Sequence, residues 1–210
     1  MHVVIEGTDG AGKNTQAKLL AERLQPAKLY SFHRYDTPLG GLIRDHLIGK
    51  VALECDETGN AVVDRDPRDP LMFQCLATID KYDAANEIRA DLAAGTHVVC
   101  DRYTQSALAY GMADGIDETW LRRIQSSLPV PDLNIFIDVA EEEALRRRPQ
   151  HRDRYEQDRQ KQRLVRTIYR DLWKVGGPGR WVVIDGHQSV EAVHEAIWKE
   201  TAGVWGQDGG

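Results

Sequence analysis

The chain has few of the residues that signal a special environment. Its three cysteines, Cys55, Cys75 and Cys100, form no C-x-x-C pair. Neither a zinc site nor a disulfide framework is expected, and the thiols read as buried or idle in a reducing compartment. No apolar run approaches the roughly 18 residues of a membrane span. No charged-then-apolar leader opens the chain, so a cytoplasmic location is expected, with no membrane partner. Positive charge is not in excess: 27 Lys and Arg stand against 33 Asp and Glu, a net charge of −6. That balance argues against a general nucleic-acid binder. Internal repeats and low-complexity linkers are also absent. With 210 residues, 41% hydrophobic and 29% charged, the chain suits a single domain over 1–205 with a frayed tail at 206–210.

Against these absences stands one informative stretch, Gly7-Thr8-Asp9-Gly10-Ala11-Gly12-Lys13-Asn14-Thr15. The short β-branched run His2-Val3-Val4-Ile5 precedes it and suits a buried strand. Ala17, Leu20, Ala21 and Leu24 follow at i, i+3, i+4 and i+7, the spacing of a helix with one buried face. Strand, glycine-rich turn and helix together make a phosphate-binding loop. Glycines let backbone N–H groups turn inward, the helix N-terminus adds partial positive charge, and a lysine reaches the terminal phosphates. Gly10, Ala11, Gly12, Lys13, Asn14 and Thr15 are therefore candidate ATP-binding residues. Asn14 stands where G-x-x-x-x-G-K-[ST] has its magnesium-binding hydroxyl, and Thr15 follows one place later.

Further strand-like runs recur at Leu29–Phe32, His97–Asp101, Leu133–Asp138 and Trp181–Asp185, with helical patterns between them. Ala85, Ile88 and Leu92 line one such face, Leu121, Ile124 and Leu128 a second, and Val190, Val193 and Ile197 a third. Alternating strands and helices predict an α/β fold, a five-stranded parallel sheet flanked by helices in three layers. Ligands in such sheets bind beyond the carboxyl ends of the strands. Those ends read Glu6-Gly7, His33-Arg34, Asp101-Arg102 and Asp185-Gly186. The segment 51–63 breaks the rhythm and reads as a β-hairpin, either a surface insertion or a flap over the substrate site.

Asp101 ends a strand beside the loop, where it can hold magnesium or its waters, and Arg102 can pin a phosphate bidentately. Arg146 to Glu156 is a dense charge run interrupted by Pro149, which suits a loop between two helices. The phosphate-binding loop carries no arginine of its own. A mobile segment at 146–156 could supply arginines to neutralise the transferring group. A nucleic-acid patch is the weaker reading, because Asp153, Glu156 and Asp158 are interspersed.

Ordered blocks through most of the chain resemble the thymidylate kinase family of nucleoside-monophosphate kinases. The first is Ile5 to Gln16. The second is Phe32-His33-Arg34-Tyr35 with Thr37-Pro38-Leu39-Gly40 and Ile43-Arg44. The third is Asp101-Arg102-Tyr103 with Ser106, Ala109 and Tyr110. Leu128 to Leu133 with Ile137-Asp138-Val139 makes the fourth, and Arg152-Asp153-Arg154-Tyr155-Glu156 resembles the family's lid. Ile184-Asp185-Gly186 resembles its last strand end. The resemblance implies a P-loop NTPase-type fold with a helical lid. It also implies transfer of the ATP γ-phosphate to a pyrimidine deoxynucleoside 5′-monophosphate, most simply dTMP to dTDP, with Mg2+. It assigns Lys13 to the β/γ oxygens and Asp9 to the acceptor sugar or the metal site, so that Asp9, Thr15 and Asp101 are metal candidates, in part through water. Arg34 and Arg102 would hold the acceptor phosphate, with Phe32 and Tyr35 from the same block beside it. Ser106 and Tyr110 would line the nucleoside pocket under Tyr155 and Glu156. Arg148, Arg152 and Arg154 would act on the transferring phosphoryl group, while Arg147 and the turn at Asp185 would sit by the adenine. A homodimer through helices near 70–94 and 104–127 is also implied. Related monophosphate kinases, the adenylate kinases among them, often lack the hydroxyl missing at Asn14.

Two departures bear on the acceptor. Where the family has a stacking Phe and a base-bonding Arg, this chain has Ala77 and Lys81, and His33 replaces a Pro after Phe32. Alanine has no stacking face and lysine no planar fork. Phe73 or Tyr82 could compensate. A modified base such as a 5-substituted dUMP is thus an alternative acceptor. A deoxynucleoside kinase is a second alternative, against which stand two strand-end arginines suited to a phosphate-bearing acceptor. A nucleotide-gated switch would need a base motif such as N-K-x-D, and none occurs.

Overall fold

The computed structural model describes residues 1–48, 69–147 and 159–205. Five strands alternate with helices: β1 (His2–Glu6), β2 (Ala27–Ser31), β3 (His97–Asp101), β4 (Leu133–Asp138) and β5 (Arg180–Asp185). All pair in parallel, in the order β2-β3-β1-β4-β5. The expected strand runs lie within these elements to a residue or two at their ends. In β1, Ile5 sits opposite Asp101 of β3 and Ile135 of β4. The chain leaves β1 towards β2 on one side and later crosses to β4 on the other. The central β1 end is therefore the switch point where α/β sheets bind ligands.

Strand alternation sorts the core into two faces. Val3 and Ile5 of β1, with Ile135 and Ile137 of β4, pack under α1 (Lys13–Arg23) and the last helix, α8 (Val190–Trp205). Ala17, Leu20, Val193 and Ile197 are the helical half of that layer. On the opposite face Val4, Val98 and Cys100 meet Ala84, Ala85 and Ile88 of α3 (Pro70–Ala93). There Phe136 stacks on Tyr169 of α7 (Arg159–Val175), ring centroids 5.0 Å apart. α4 (Thr104–Ala113) and α5 (Glu118–Ile124) complete that layer. The short α2 (Pro38–Leu47) and α6 (Glu141–Arg147) flank the cavity at its two ends.

Helix starts are written locally at several places. Thr37 caps α2 through Gly40 N–H, Asp69 caps α3 through Leu71 N–H, and Asp117 caps α5 through Trp120 N–H. α1 and α4 have no side-chain cap of their own, and both begin at the cavity. The hairpin expected at 51–63, Cys55, the lid core 148–156 and the tail 206–210 lie outside the described residues.

Candidate active site

β1 ends at Glu6, and the chain turns through Gly7 to Gly12 before α1 begins. Gly10 has φ +82°, and a Cβ there would lie 2.5 Å from the Ala144 carbonyl oxygen, so only bare backbone fits under α6. Gly12 is the N-cap at φ +91° and offers no side-chain acceptor, which leaves the first N–H groups of α1 free to face an anion. Lys13 is buried and its Nζ donates to the Thr8 carbonyl at 2.7 Å. Desolvation and then the Arg102 charge push its amine down to about 8, against the pull of Asp9, Asp101 and Glu6. Asn14 Nδ2 donates to Asp101 Oδ2 at 3.2 Å, which ties α1 to the end of β3.

Across the loop lies a second cation. Arg102 follows β3 in the left-handed region, φ +66°, a strained conformation for a residue other than glycine. Its Nη1 donates to Gly7 O at 3.1 Å and Ser106 Oγ at 3.2 Å. Its Nη2 donates to Asp9 Oδ1 at 2.5 Å and Tyr110 Oη at 3.3 Å. Asp9 Oδ2 accepts from Tyr110 Oη at 2.9 Å and from Gln162 Nε2 at 3.0 Å. Desolvation raises the Asp9 carboxyl, but Arg102 and then Lys13 outweigh it and hold it down at about 2. Despite its own burial, Arg102 is held well above the usual arginine value by Tyr110 and Asp9. The pair stays ionised across the working pH range.

The strained turn has a support that the local sequence does not announce. Glu6, fully buried on β1, accepts from Tyr103 N–H at 2.9 Å and Ser106 N–H at 3.2 Å. Ser106 Oγ–H donates to its other oxygen at 2.6 Å, and Tyr169 Oη–H at 2.8 Å. Tyr103 is the N-cap position of α4 and Ser106 its third residue. A carboxylate from another element thus supplies the cap that α4 lacks, taking both donors that a capping box divides between its N-cap and N3 side chains.

One cavity of about 1240 Å³ joins these groups. Its near end is bounded by Arg147, Gly186, His187 and the start of α8. His187 Nε2 accepts from Ala140 N–H at 3.0 Å while its other ring nitrogen lies 2.7 Å from Asp185 Oδ1. Arg147 Nη2 donates to Gly186 O at 2.7 Å. The far end is walled by Phe32, His33, Phe73, Gln74, Ala77, Lys81 and Tyr103. The Phe32 and Tyr103 rings are 5.5 Å apart, and those of His33 and Phe73 5.4 Å. Lys81 is buried with Nζ donating to Ala77 O at 3.0 Å, and desolvation pushes its amine down to about 8.

Of the sequence candidates, Asp9 to Thr15, Phe32, Tyr35, Ala77, Lys81, Asp101, Arg102, Ser106, Tyr110 and Arg147 all line this cavity. Two are corrected. Arg34 is absent from the lining: its Nε donates to Asp80 Oδ1 at 2.8 Å and its Nη2 to Asp83 Oδ2 at 2.5 Å. Two carboxylates on α3 hold that guanidinium against the helix. Asp185 is likewise turned to His187, and the Gly186 backbone and His187 stand at the wall in its place. Arg148, Arg152, Arg154, Tyr155 and Glu156 lie outside the described residues. The basic run beside them is not a free patch. Arg146 and Arg147 pair with Glu143, Arg163 with Glu141, and Arg166 and Arg170 with Asp138. Glu6, Gln162, Gln74 and Arg44 are site residues that sequence reasoning missed. Glu6 and Arg44 stand inside quoted motifs, whereas Gln162 and Gln74 carry no local signal.

A family model described as thymidylate kinase matches residues 5–197. A probable thymidylate kinase of Pyrococcus abyssi is 34% identical over 204 residues, covering 93% of this chain and 92% of that protein. A thymidylate kinase of Thermomicrobium roseum is 36% identical over 207 residues, covering 93% and 91%. The solved thymidylate kinase of Candida albicans superposes with a TM-score of 0.78 at 27% identity, covering 97% of this chain and 92% of that one.

Proposed function

The chain belongs to the thymidylate kinase family, and from that premise we propose how its residues divide the work of phosphorylating dTMP. The enzyme is an ATP-dependent nucleoside-monophosphate kinase that transfers the γ-phosphoryl group to the 5′-phosphate of dTMP, giving dTDP and ADP. Neither the 5-substituted acceptor nor the unphosphorylated nucleoside is favoured by its relatives. The observation that carries the assignment of roles is the single cavity that places Lys13 and Arg102 together at the switch point.

In the transfer, an acceptor phosphate oxygen bonds to the γ-phosphorus as its bond to the β-phosphate bridging oxygen breaks. A dianionic acceptor brings no proton to remove, so the protein's task is positioning and charge neutralisation. The open N–H groups of α1 and the Lys13 ammonium hold the β- and γ-phosphates. Arg102 holds the acceptor phosphate and keeps it from repelling the donor, and Asp9 with Tyr110 faces the acceptor sugar. Arg147 and the 186–190 turn flank the adenine. Arg148, Arg152 and Arg154, outside the described residues, are assigned the neutralisation of the transferring group.

The residues present fit magnesium. Asp101 Oδ1 is buried with no hydrogen-bond partner among the described residues, beside Asn14 and Thr15. Among the described residues no cluster of three His, Cys, Asp or Glu side chains converges. That suits an ion held by phosphates and waters more than by a protein cage. Asp101, through water, and Thr15 would hold it, where it would neutralise phosphate charge.

The working unit is a homodimer in the cytoplasm. Buried Phe73, Leu76 and Ile88 line one side of α3, while Leu71, Met72, Ile79 and Tyr82 of the same helix stand exposed. A helix apolar on both faces seeks a partner, and a second copy supplies one. No helix among the described residues is long and apolar enough to cross a membrane.

The test is a coupled assay of ADP formation with dTMP, dUMP, dCMP and thymidine side by side. Turnover of dTMP, with thymidine inert, is expected. Absence of dTMP-dependent ADP formation would overturn the assignment.

A further inference from the structure

The acceptor end of the cavity carries a polar group that the phosphoryl-transfer chemistry does not use. Gln74 is 1% exposed, and neither its Nε2 nor its Oε1 has a hydrogen-bond partner among the described residues. Yet it lines the cavity, alongside Phe32, Phe73 and Tyr103. A buried carboxamide with both ends unsatisfied is destabilising in the free protein and is retained where a ligand satisfies it. Gln74, Ala77 and Lys81 stand at i, i+3 and i+7 of α3, so they share one helix face. Between the two polar residues Ala77 contributes only a methyl group. Lys81 has three N–H donors, and its hydrogen bond among the described residues is to Ala77 O.

We infer that Gln74, with Lys81, reads the imide edge of the acceptor base. This rests on the dTMP kinase assignment and adds the source of its base selectivity. The Gln74 Oε1 accepts the pyrimidine N3–H, its Nε2 donates to the O2 carbonyl, and Lys81 donates to the O4 carbonyl. The three groups match a thymine or uracil edge, which offers one donor between two acceptors. Cytosine presents acceptors at both N3 and O2, so the carboxamide, turned over to donate to N3, sets its own oxygen against O2. Lys81 only donates, so it meets the cytosine amino group donor to donor. Selectivity against cytosine is therefore shared by the lysine and the glutamine, and recognition of N3–H sits on the glutamine. The stacking that Ala77 cannot give falls to the aromatic side chains of the same wall.

The experiment compares wild type, Gln74→Leu and Lys81→Met with three acceptors: dTMP, its N3-methyl analogue and dCMP. Thermal unfolding is measured without ligand. Wild type uses dTMP and discriminates against the N3-methyl analogue. In Gln74→Leu, kcat/KM for dTMP falls about 10- to 100-fold, mainly through KM, the size of a lost buried hydrogen-bond pair. The gap between dTMP and the N3-methyl analogue closes by a similar factor. Its unfolding temperature is unchanged or higher, because an unsatisfied polar group has been removed. Lys81→Met raises dCMP relative to dTMP while keeping the discrimination against the N3-methyl analogue. If Gln74→Leu depresses both thymine acceptors equally, the glutamine does not read N3 and the inference falls. A lowered unfolding temperature with unchanged discrimination makes it a packing residue, which also overturns it. Wild type inert towards dTMP would instead overturn the kinase assignment itself.

Discussion

Replacing Glu6 by Gln tests whether Arg102, the arginine proposed to hold the acceptor phosphate, is kept in place from β1. The side chain keeps its size and one carbonyl oxygen, which still accepts from Tyr103 and Ser106 N–H. The other oxygen becomes an NH2 facing Ser106 Oγ and Tyr169 Oη, at 2.6 and 2.8 Å in the native protein. Those two hydroxyls must then turn to accept, although Ser106 already accepts from Arg102 and is bonded to Tyr169 at 2.9 Å. Hydrogen bonds to a charged group contribute roughly 1.5–3 kcal/mol against about 0.5–1.5 for neutral pairs. Weakening two and reversing two costs about 3 kcal/mol on that scale, or a drop of about 6–12 °C in Tm for a chain of this length. The strained φ at Arg102 adds a functional signature. Once the α4 cap loosens, Arg102 has less reason to stay at +66°. KM for dTMP rises several-fold while KM for ATP, whose lysine is anchored separately on Thr8, changes little. Calorimetry and steady-state kinetics on one preparation read both. A Tm within about 1 °C of wild type, or equal rises in the two KM values, would refute the argument.

Other outcomes follow from the same geometry. Lys13→Ala loses nearly all turnover with its unfolding transition intact, and near-normal kcat would remove the loop from the chemistry. Because the free-enzyme Lys13 amine sits at about 8, kcat/KM for ATP declines above that pH as the ammonium is lost. A flat profile to pH 9.5 would contradict it. Lys81 has its folded value at about 8 against 10.5 for an unperturbed lysine, so its charge is unfavourable in the fold. That cost, about 3 kcal/mol, is fully present below pH 8 and is relieved as pH rises towards the unfolded value. Lys81→Met is therefore more stable than wild type at pH 7, with an advantage that shrinks above pH 8 in thermal scans. Ile79→Glu on the exposed face of α3 yields monomer in sedimentation analysis, and an unchanged mass would place the subunit interface elsewhere.

The sequence alone determined what is written locally. Side-chain periods place the five strands within a residue or two, whereas the helical pattern expected through Leu128 overruns α5, which ends at Ile124. Glycine spacing specifies the loop at 7–15, because only bare backbone accepts φ +82° under Ala144. The strand-end residues Asp101 and Arg102 are legible by position, because ligands in a parallel sheet bind beyond the carboxyl ends of its strands. The tertiary structure decided what depends on distant partners. Glu6 caps a helix 97 residues away through Tyr103, and Gln162 reaches Asp9 across 153 residues. Arg34 is paired with Asp80 and Asp83 only because the fold lays α3 beside the end of β2. Gln74 looked like one more polar residue on a long helix until the fold buried its amide without a partner among the described residues. Local conformational preference is short-ranged, whereas the cost of burying a charge or an amide is settled only by what the completed fold brings beside it.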